Sequence, residues 1–370
     1  MGICGVAVGN QDRGDGHLES AGDEGAKEVG AARRLASWYF SNNDCNQAVI
    51  AGLKDLYVSR IVREMREQGI EQVQARHQLR LDFVLSAEDR IELSSEGVDE
   101  WLSRSVAGSS LPETMAALLE AVRGQYNSAG AVADYIAADP TLAAMVLKLV
   151  NSSFYRFPRP INSLANAITI IGRRQLRLMA IGITVMSFCR HISEELLDMK
   201  AFWMHSIGCG VICKNMMQGV EGADAEHLYL AGLLHDIGHL FMLQEKPALV
   251  RAAMRLSETE DCPFHEAEQV IFGFDHCELG SRLMSLWNFP PFLIESVRRH
   301  HDQQGDNTET CIVHVADAVA HAAFPGNSGS LRLPRLATKK WERFRLDQQE
   351  MERIVRKSVP QFQDLMGIFI

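Results

Sequence analysis

The 370-residue chain has no uninterrupted apolar run of the eighteen or so residues that a membrane-spanning helix needs. Its first residues are acidic and glycine-rich where a secretory leader needs a basic and then an apolar run, so neither a membrane span nor a signal peptide is expected. Met1-Gly2 fails the acylation pattern as well, because Val6 stands where Ser or Thr is required. The eight cysteines form no Cys-x-x-Cys pair and no short disulfide-like framework; scattered through apolar helical segments, they fit a reducing cytoplasm. Basic charge is in deficit. Against 47 acidic residues stand 37 Lys and Arg, and the net charge of -10 opposes non-specific attraction to nucleic acid or anionic lipid.

What the chain does have is helical periodicity, with 46% hydrophobic residues to fill a core. Residues 1–30 have the Gly, Asp and Glu content of a disordered tail. Residues 31–108 read as a small helical module in which Val49, Leu53, Leu56, Ile61, Val62 and Met65 form a stripe opposite Arg60, Arg63, Glu64, Arg66 and Glu67. Such one-sided helices over 31–103 predict either homo-oligomerisation or docking on the rest of the chain. A Ser- and Gly-rich break places the next boundary near Gly108. Beyond it, Leu111, Met115, Leu118, Leu119 and Val122 share one helix face. Asp139 and Pro140 then open a helix carrying Leu142, Val146 and Leu149, and Ser163 to Ile171 form another that Gly172 closes as a left-handed cap. Arg173, Arg174 and Arg177 read as a solvated face. Residues 325–370 begin with a Pro-Gly-Asn-Ser-Gly turn and continue as an amphipathic closing helix with a basic face. A last helix from Asp347 to Met366 is expected to break at Pro360.

The chemistry gathers around Leu228 to Met242, an apolar helix with His235 and Asp236 at its centre. Leu230, Leu233, Leu234, Ile237, Leu240 and Phe241 leave the pair no wet face, and a buried carboxylate costs several kcal/mol unless a cation or a cluster of donors meets it. His205, in Phe202-Trp-Met-His, and Asp317, in Val313-His-Val-Ala-Asp, lie on other apolar helical segments and could complete a divalent site. Two carboxylates drawn together there must be offset by a metal ion or a proton, so Asp236→Asn is expected to leave the metal-free fold no less stable. Cys209 and Cys213 follow His205 at steps of four and read as small core residues. His265, beside Pro263 and Glu266, reads as the start of a surface helix.

The order His205, His235-Asp236, Asp317 resembles the HD superfamily of all-helical metal-dependent phosphohydrolases. With Leu111-Pro112, Asp139-Pro140, Asn151-Ser152-Ser153, Ala165 to Gly172, Trp287-Asn-Phe-Pro290 and His300-His301, it is most similar to the HDOD domain, the HD-related output domain of bacterial signalling proteins. The resemblance implies an all-α, two-lobed bundle over residues 109–324. It implies a divalent ion (Fe, Mn, Mg or Zn) on His205, His235, Asp236 and Asp317, with Asp236 and His239 as catalytic candidates. His276, His300 and His301 are candidates for a second metal or for phosphate contacts. It implies a signalling output module acting through protein partners; the alternative is hydrolysis of a nucleotide or other phosphoester. Related cyclic-di-GMP phosphodiesterases carry His-Asp-x-Gly-Lys and a Gly-Tyr-Pro loop. Here His239 replaces the lysine and the loop is missing, which argues against that substrate.

Overall fold

In the computed structural model of the chain, residues 18–41, 48–75, 97–106, 136–188, 196–217, 224–287, 289–302, 307–330, 332–344 and 346–370 are described, with a few isolated positions between them. Among these the secondary structure is entirely helical. Among the described residues, α1 (Leu18–Tyr39), α2 (Ala48–Gln68) and α3 (Val98–Val106) precede the first lobe. The first lobe contains α4 (Pro140–Val150), α5 (Leu164–Ile171) and α6 (Arg173–Phe188). The second is built from α7 (Met199–Met216), α8 (Ala225–Leu234), α9 (Ile237–Glu245), α10 (Pro247–Thr259), α11 (Phe264–Phe272), α12 (His276–Leu286), α13 (Pro291–Arg299) and α14 (Thr308–Ala323). The chain closes with α15 (Thr338–Phe344) and α16 (Gln348–Phe369).

Local chemistry sets most of these boundaries. The Asp139 carboxylate accepts hydrogen bonds from the amides of Thr141 and Leu142, Pro140 occupies the first turn, and Leu142, Val146 and Leu149 are buried as their spacing requires. Ser163 caps α5 in the same way. Gly172 ends α5 with φ +86° but ψ 156°, so it supplies the positive φ without the left-handed helical turn expected of it. The helix expected over Leu111 to Val122 lies outside the described residues, as do the side chains of Arg173, Arg174 and Arg177.

Three boundaries differ from the sequence reading. Helix α1 begins at Leu18, inside the segment read as a tail, because Ala31, Ala32 and Ala36 are buried where it packs on α2. Pro360 does not break α16. Asn215 on α7 donates to Ser358 Oγ and Gln361 Oε1, both at 2.8 Å, so docking on either side of the proline holds the helix across the missing amide. The His-Asp helix, in turn, is two helices that meet at the pair.

Helix α7 lies at the centre, packed against α8, α14 and α16, while α9, α12 and α13 form the neighbouring layer. The lobes join where Lys214 Nζ on α7 meets Glu226 Oε1 at 2.9 Å and the Phe154 carbonyl at 3.3 Å, with Tyr155 donating to Glu226 Oε2 at 2.6 Å. The N-terminal helices dock on this bundle: α2 packs on α14 and α16, Arg60 donates to the Ala322 carbonyl, and Tyr39 is hydrogen-bonded to His321 at 2.8 Å. The segment after α14 crosses α7 so closely that a Cβ on Gly326 would lie 2.5 Å from the His205 amide nitrogen. Arg332 fixes its far end to Glu258 and Asp261.

Candidate metal centre

At His235-Asp236 the chain leaves α8 and enters α9 through a tight bend, with Asp236 at φ -98°, ψ 16°. The bend matters for function. Adjacent residues on one regular helix diverge by about 100°, whereas this kink brings His235 Nε2 and Asp236 Oδ2 to 3.0 Å. Gly238 makes the approach of α12 feasible, since a Cβ there would stand 2.0 Å from the His276 carbonyl oxygen.

Asp236 divides the cluster with its two oxygens. Oδ2 faces His235 and, at 3.9 Å, His205 Nε2. His205 lies 3.1 Å and His235 3.6 Å from Asp317 Oδ1, which completes the first set of four. On the other side Oδ1 stands 3.4 Å from both His276 Nε2 and His300 Nε2, and 4.0 Å from His239 Nε2. His205, His235, Asp236, Asp317, His239, His276 and His300 are therefore one constellation, none more than 3% exposed. His301 joins its edge, its ring 4.1 Å from that of His300.

The outer partners of the rings decide what the inner nitrogens offer. His235 Nδ1 donates to the Gly232 carbonyl at 2.8 Å and His300 Nδ1 to the Val297 carbonyl at 2.7 Å, while His276 Nδ1 meets Glu268 Oε2 at 2.6 Å. Each neutral ring so anchored presents a lone pair at Nε2. Yet the Nε2 atoms of His276 and His300 are 3.3 Å apart, those of His205 and His235 are 3.4 Å apart, and a carboxylate oxygen adjoins each pair. Between His276 and His300 two lone pairs face one another and an anion, which calls for a cation, either a proton or a metal ion; His205, whose Nδ1 has no partner, can instead donate from Nε2 towards Asp317 Oδ1. Imidazole and carboxylate donors backed by a carbonyl or carboxylate fit a borderline divalent ion.

Electrostatics show which protons can stand in. Burial works against charging His235, but Asp236 and Asp317 outweigh it and raise its pKa well above the usual value. Burial likewise opposes charge on Asp236 and Asp317, and the surrounding histidines hold both carboxyls well below the usual range. At His276 burial is again outweighed, by Cys277 and Glu268; because burial pushes the Cys277 thiol itself up to about 12, Glu268 is the anion present near neutral pH. His300 is lowered by burial and stays neutral. Without metal, His235 and His276 thus carry the two protons that occupy the two halves of the centre.

Several of these residues were not identified from the sequence. Glu268 holds both His276 Nδ1 and, at 3.0 Å, His239 Nδ1. A buried acid at this point of α11 gives no sign in sequence of which partner it serves. His321 follows Asp317 by one helical step of four and packs its ring 4.0 Å from that of His205, a spacing that could have been read. His265 is half-buried and stacked on His301 at 4.7 Å, so the surface reading of this residue is corrected: α11 starts over the centre rather than away from it. Cys209 and Cys213 are buried in the apolar core, as expected.

An all-α bundle with a buried His/Asp centre defines a class, and comparison supplies its family. A family model of the HDOD domain matches residues 109–303, and the chain belongs to that family. The match stops short of Asp317, although α14 packs directly on α7 and α13. A protein of Shewanella amazonensis SB2B, provisionally named a phosphohydrolase, has a similar structure, with 20% identity, TM-score 0.59, and coverage of 75% of this chain and 99% of that one. An HDOD domain protein of unknown function from Geobacter sulfurreducens is 22% identical with TM-score 0.53, covering 80% of this chain and 99% of that one. At these identities the likeness shows the fold. An uncharacterized protein of Treponema pallidum (strain Nichols) is 23% identical over 196 residues; the match takes in 52% of this chain and 38% of that relative's length.

Proposed function

We propose that the second lobe is a metal-dependent phosphohydrolase centre within a bacterial signalling protein of the HDOD family. The observation that carries this reading is a small pocket beside the centre, with room for about one water molecule, which Asp236, His239, His276 and Asp317 line together with His265, Ser328 and Ser330. Structural ions are closed off, whereas catalytic ones keep a position facing a cleft. His205, His235, Asp236 and Asp317 would hold one ion, and Asp236, His276 and His300 would contribute to a second. Bound there, a divalent ion supplies Lewis acidity and lowers the pKa of a water. Asp236 orients both halves through its two oxygens. Glu268 fixes His239 through Nδ1, and its Nε2, 4.0 Å from Asp236 Oδ1, is the candidate contact for a phosphate oxygen or the leaving group.

The test combines metal analysis of the purified chain with turnover of small phosphomonoesters and phosphodiesters, using His235→Ala and Asp236→Ala as controls. Stoichiometric Fe, Mn, Mg or Zn and turnover lost together in both variants are expected. A metal-loaded protein inert towards both substrate classes overturns the enzymatic reading.

Output through a protein partner is the second reading, and the buried Tyr39–His321 hydrogen bond favours it, because it ties the N-terminal helices to the back of the centre. On this reading metal loading alters amide exchange in α1 and α2; unchanged exchange there counts against it.

A further inference from the structure

One buried histidine has both ring nitrogens occupied outside the centre and still bears on it. His314 lies on α14, one helical turn before Asp317. The Ala337 amide, just ahead of α15, donates to His314 Nε2 at 3.0 Å. An amide N–H can only donate, so Nε2 carries the lone pair and the ring proton sits on Nδ1. That proton is donated to the His300 carbonyl at 2.8 Å. The acceptor is informative. The last carbonyls of a helix have no partner within it, and His300 caps the C-terminal end of α13. Two rings satisfy carbonyls at that end: His300 Nδ1 donates to Val297 at 2.7 Å, and His314 donates to His300 itself. His300 is thus fixed twice, its ring by its own helix and its backbone by α14.

We infer that His314 is a positioning residue for His300 and sets the register between the two halves of the centre. The inference rests on the metal-centre reading above and adds to it the group that holds the second position in place. Helix α14 contributes Asp317 to the first set of four, and one turn earlier His314 pins the end of α13 that carries His300 of the second. One helix therefore references both positions. A shift of α13 along it would draw His300 Nε2 away from His276 Nε2 and Asp236 Oδ1, which stand at 3.3 and 3.4 Å. His314 does not touch the ion; it acts through His300, and a ligand held in place beforehand loses less freedom when metal binds. Through Ala337 the same ring joins the start of α15 to the end of α13, so the C-terminal extension is registered to the second half as well.

The experiment titrates metal-free full-length protein with zinc in competition with a chelating dye, and His300→Ala identifies the equivalent that belongs to the second position. His314→Asn sets an amide N–H near the place of Nδ1 and keeps the bond to His300. His314→Gln sets its oxygen near the place of Nε2 and keeps only the bond from Ala337. His314→Gln and His314→Leu should weaken the second equivalent about 10–100-fold and leave the first unchanged, whereas His314→Asn should keep both close to wild type. Equal weakening in His314→Asn and His314→Gln, or both equivalents weakened alike in every variant, marks a merely structural role and overturns the inference while leaving the His/Asp centre standing. So does an unchanged second equivalent in His314→Gln and His314→Leu. Nitrogen NMR of the wild-type ring gives a reading that needs no folded variant: the Nδ1–H tautomer of His314 is expected, and the Nε2–H tautomer overturns the arrangement. Zinc bound by the wild type in a single equivalent, or not at all, overturns the second position itself and the inference with it.

Discussion

Replacing Asp236 with Asn removes one charge from the middle of the centre while keeping its shape, and it separates two electrostatic accounts of the metal-free protein. If the two carboxylates mainly repel each other, the variant is no less stable than wild type. The geometry argues the opposite. Asp236 Oδ2 lies 3.0 Å from the raised His235, and Oδ1 lies 3.4 Å from the raised His276, so in the metal-free state the carboxylate is paired with two protonated rings. Removing one partner of a buried ion pair costs about 3–5 kcal/mol, and because the amide oxygen still accepts a hydrogen bond, the lower end of that range applies. A loss of about 3 kcal/mol corresponds to a fall in Tm of about 6–12 °C for a lobe of this size. Metal widens the gap. An ion at a hundred times its Kd adds about 2.7 kcal/mol to a protein that binds it only when folded, and the variant forfeits most of that gain. Calorimetric or circular-dichroism melts of chelated and metal-loaded samples measure both differences. A chelated Asp236→Asn protein that melts at or above chelated wild type would show that the carboxylates repel uncompensated and that His235 and His276 do not hold the protons assigned to them.

The pH dependence of the chelated protein should pass through a maximum near pH 6.5. Below it, the unfolded chain takes up protons that His314 and His321 refuse when folded, since burial lowers them to about 4 and about 3; stability is full above the unfolded value and falls by about 1.4 kcal/mol per pH unit for each as the pH drops. Above the maximum, the raised His235 and His276 lose their protons and the stability they contribute disappears as the pH climbs through their folded values; bound metal should abolish this alkaline limb, and melts from pH 4 to 9 with and without chelator check both. Gly238→Ala should destabilise the second lobe by about 3 kcal/mol or more, because its Cβ meets the His276 backbone; a denaturant melt matching wild type would count against the close contact of α9 and α12. Glu268→Gln should weaken metal binding about 10–100-fold by loosening His276 and His239, as measured by competition with a chelating dye. Cyclic-di-GMP should not be hydrolysed; release of product at even about one per second, within the ordinary enzyme range, would refute this.

The sequence alone determined the all-helical class, because apolar spacing of three and four and caps such as Asp139 and Ser163 are local matters that tertiary contacts did not override. It also pointed to His205, His235, Asp236 and Asp317, since a charged or polar residue on an otherwise apolar stripe has to find a partner. Only the tertiary structure decided how those partners divide. The kink that turns Asp236 between two sets of rings depends on α12 pressing against Gly238, and nothing near residue 236 in the chain announces it. Pro360 runs through a helix because Asn215, 145 positions away, holds the residues around it (360 − 215). Glu268 and His321 belong to the centre for the same reason. Burial and hydrogen-bond direction are properties of the packed bundle, and the ring nitrogen that faces the middle of the centre is set by the carbonyl or carboxylate that another turn or helix brings to its far side.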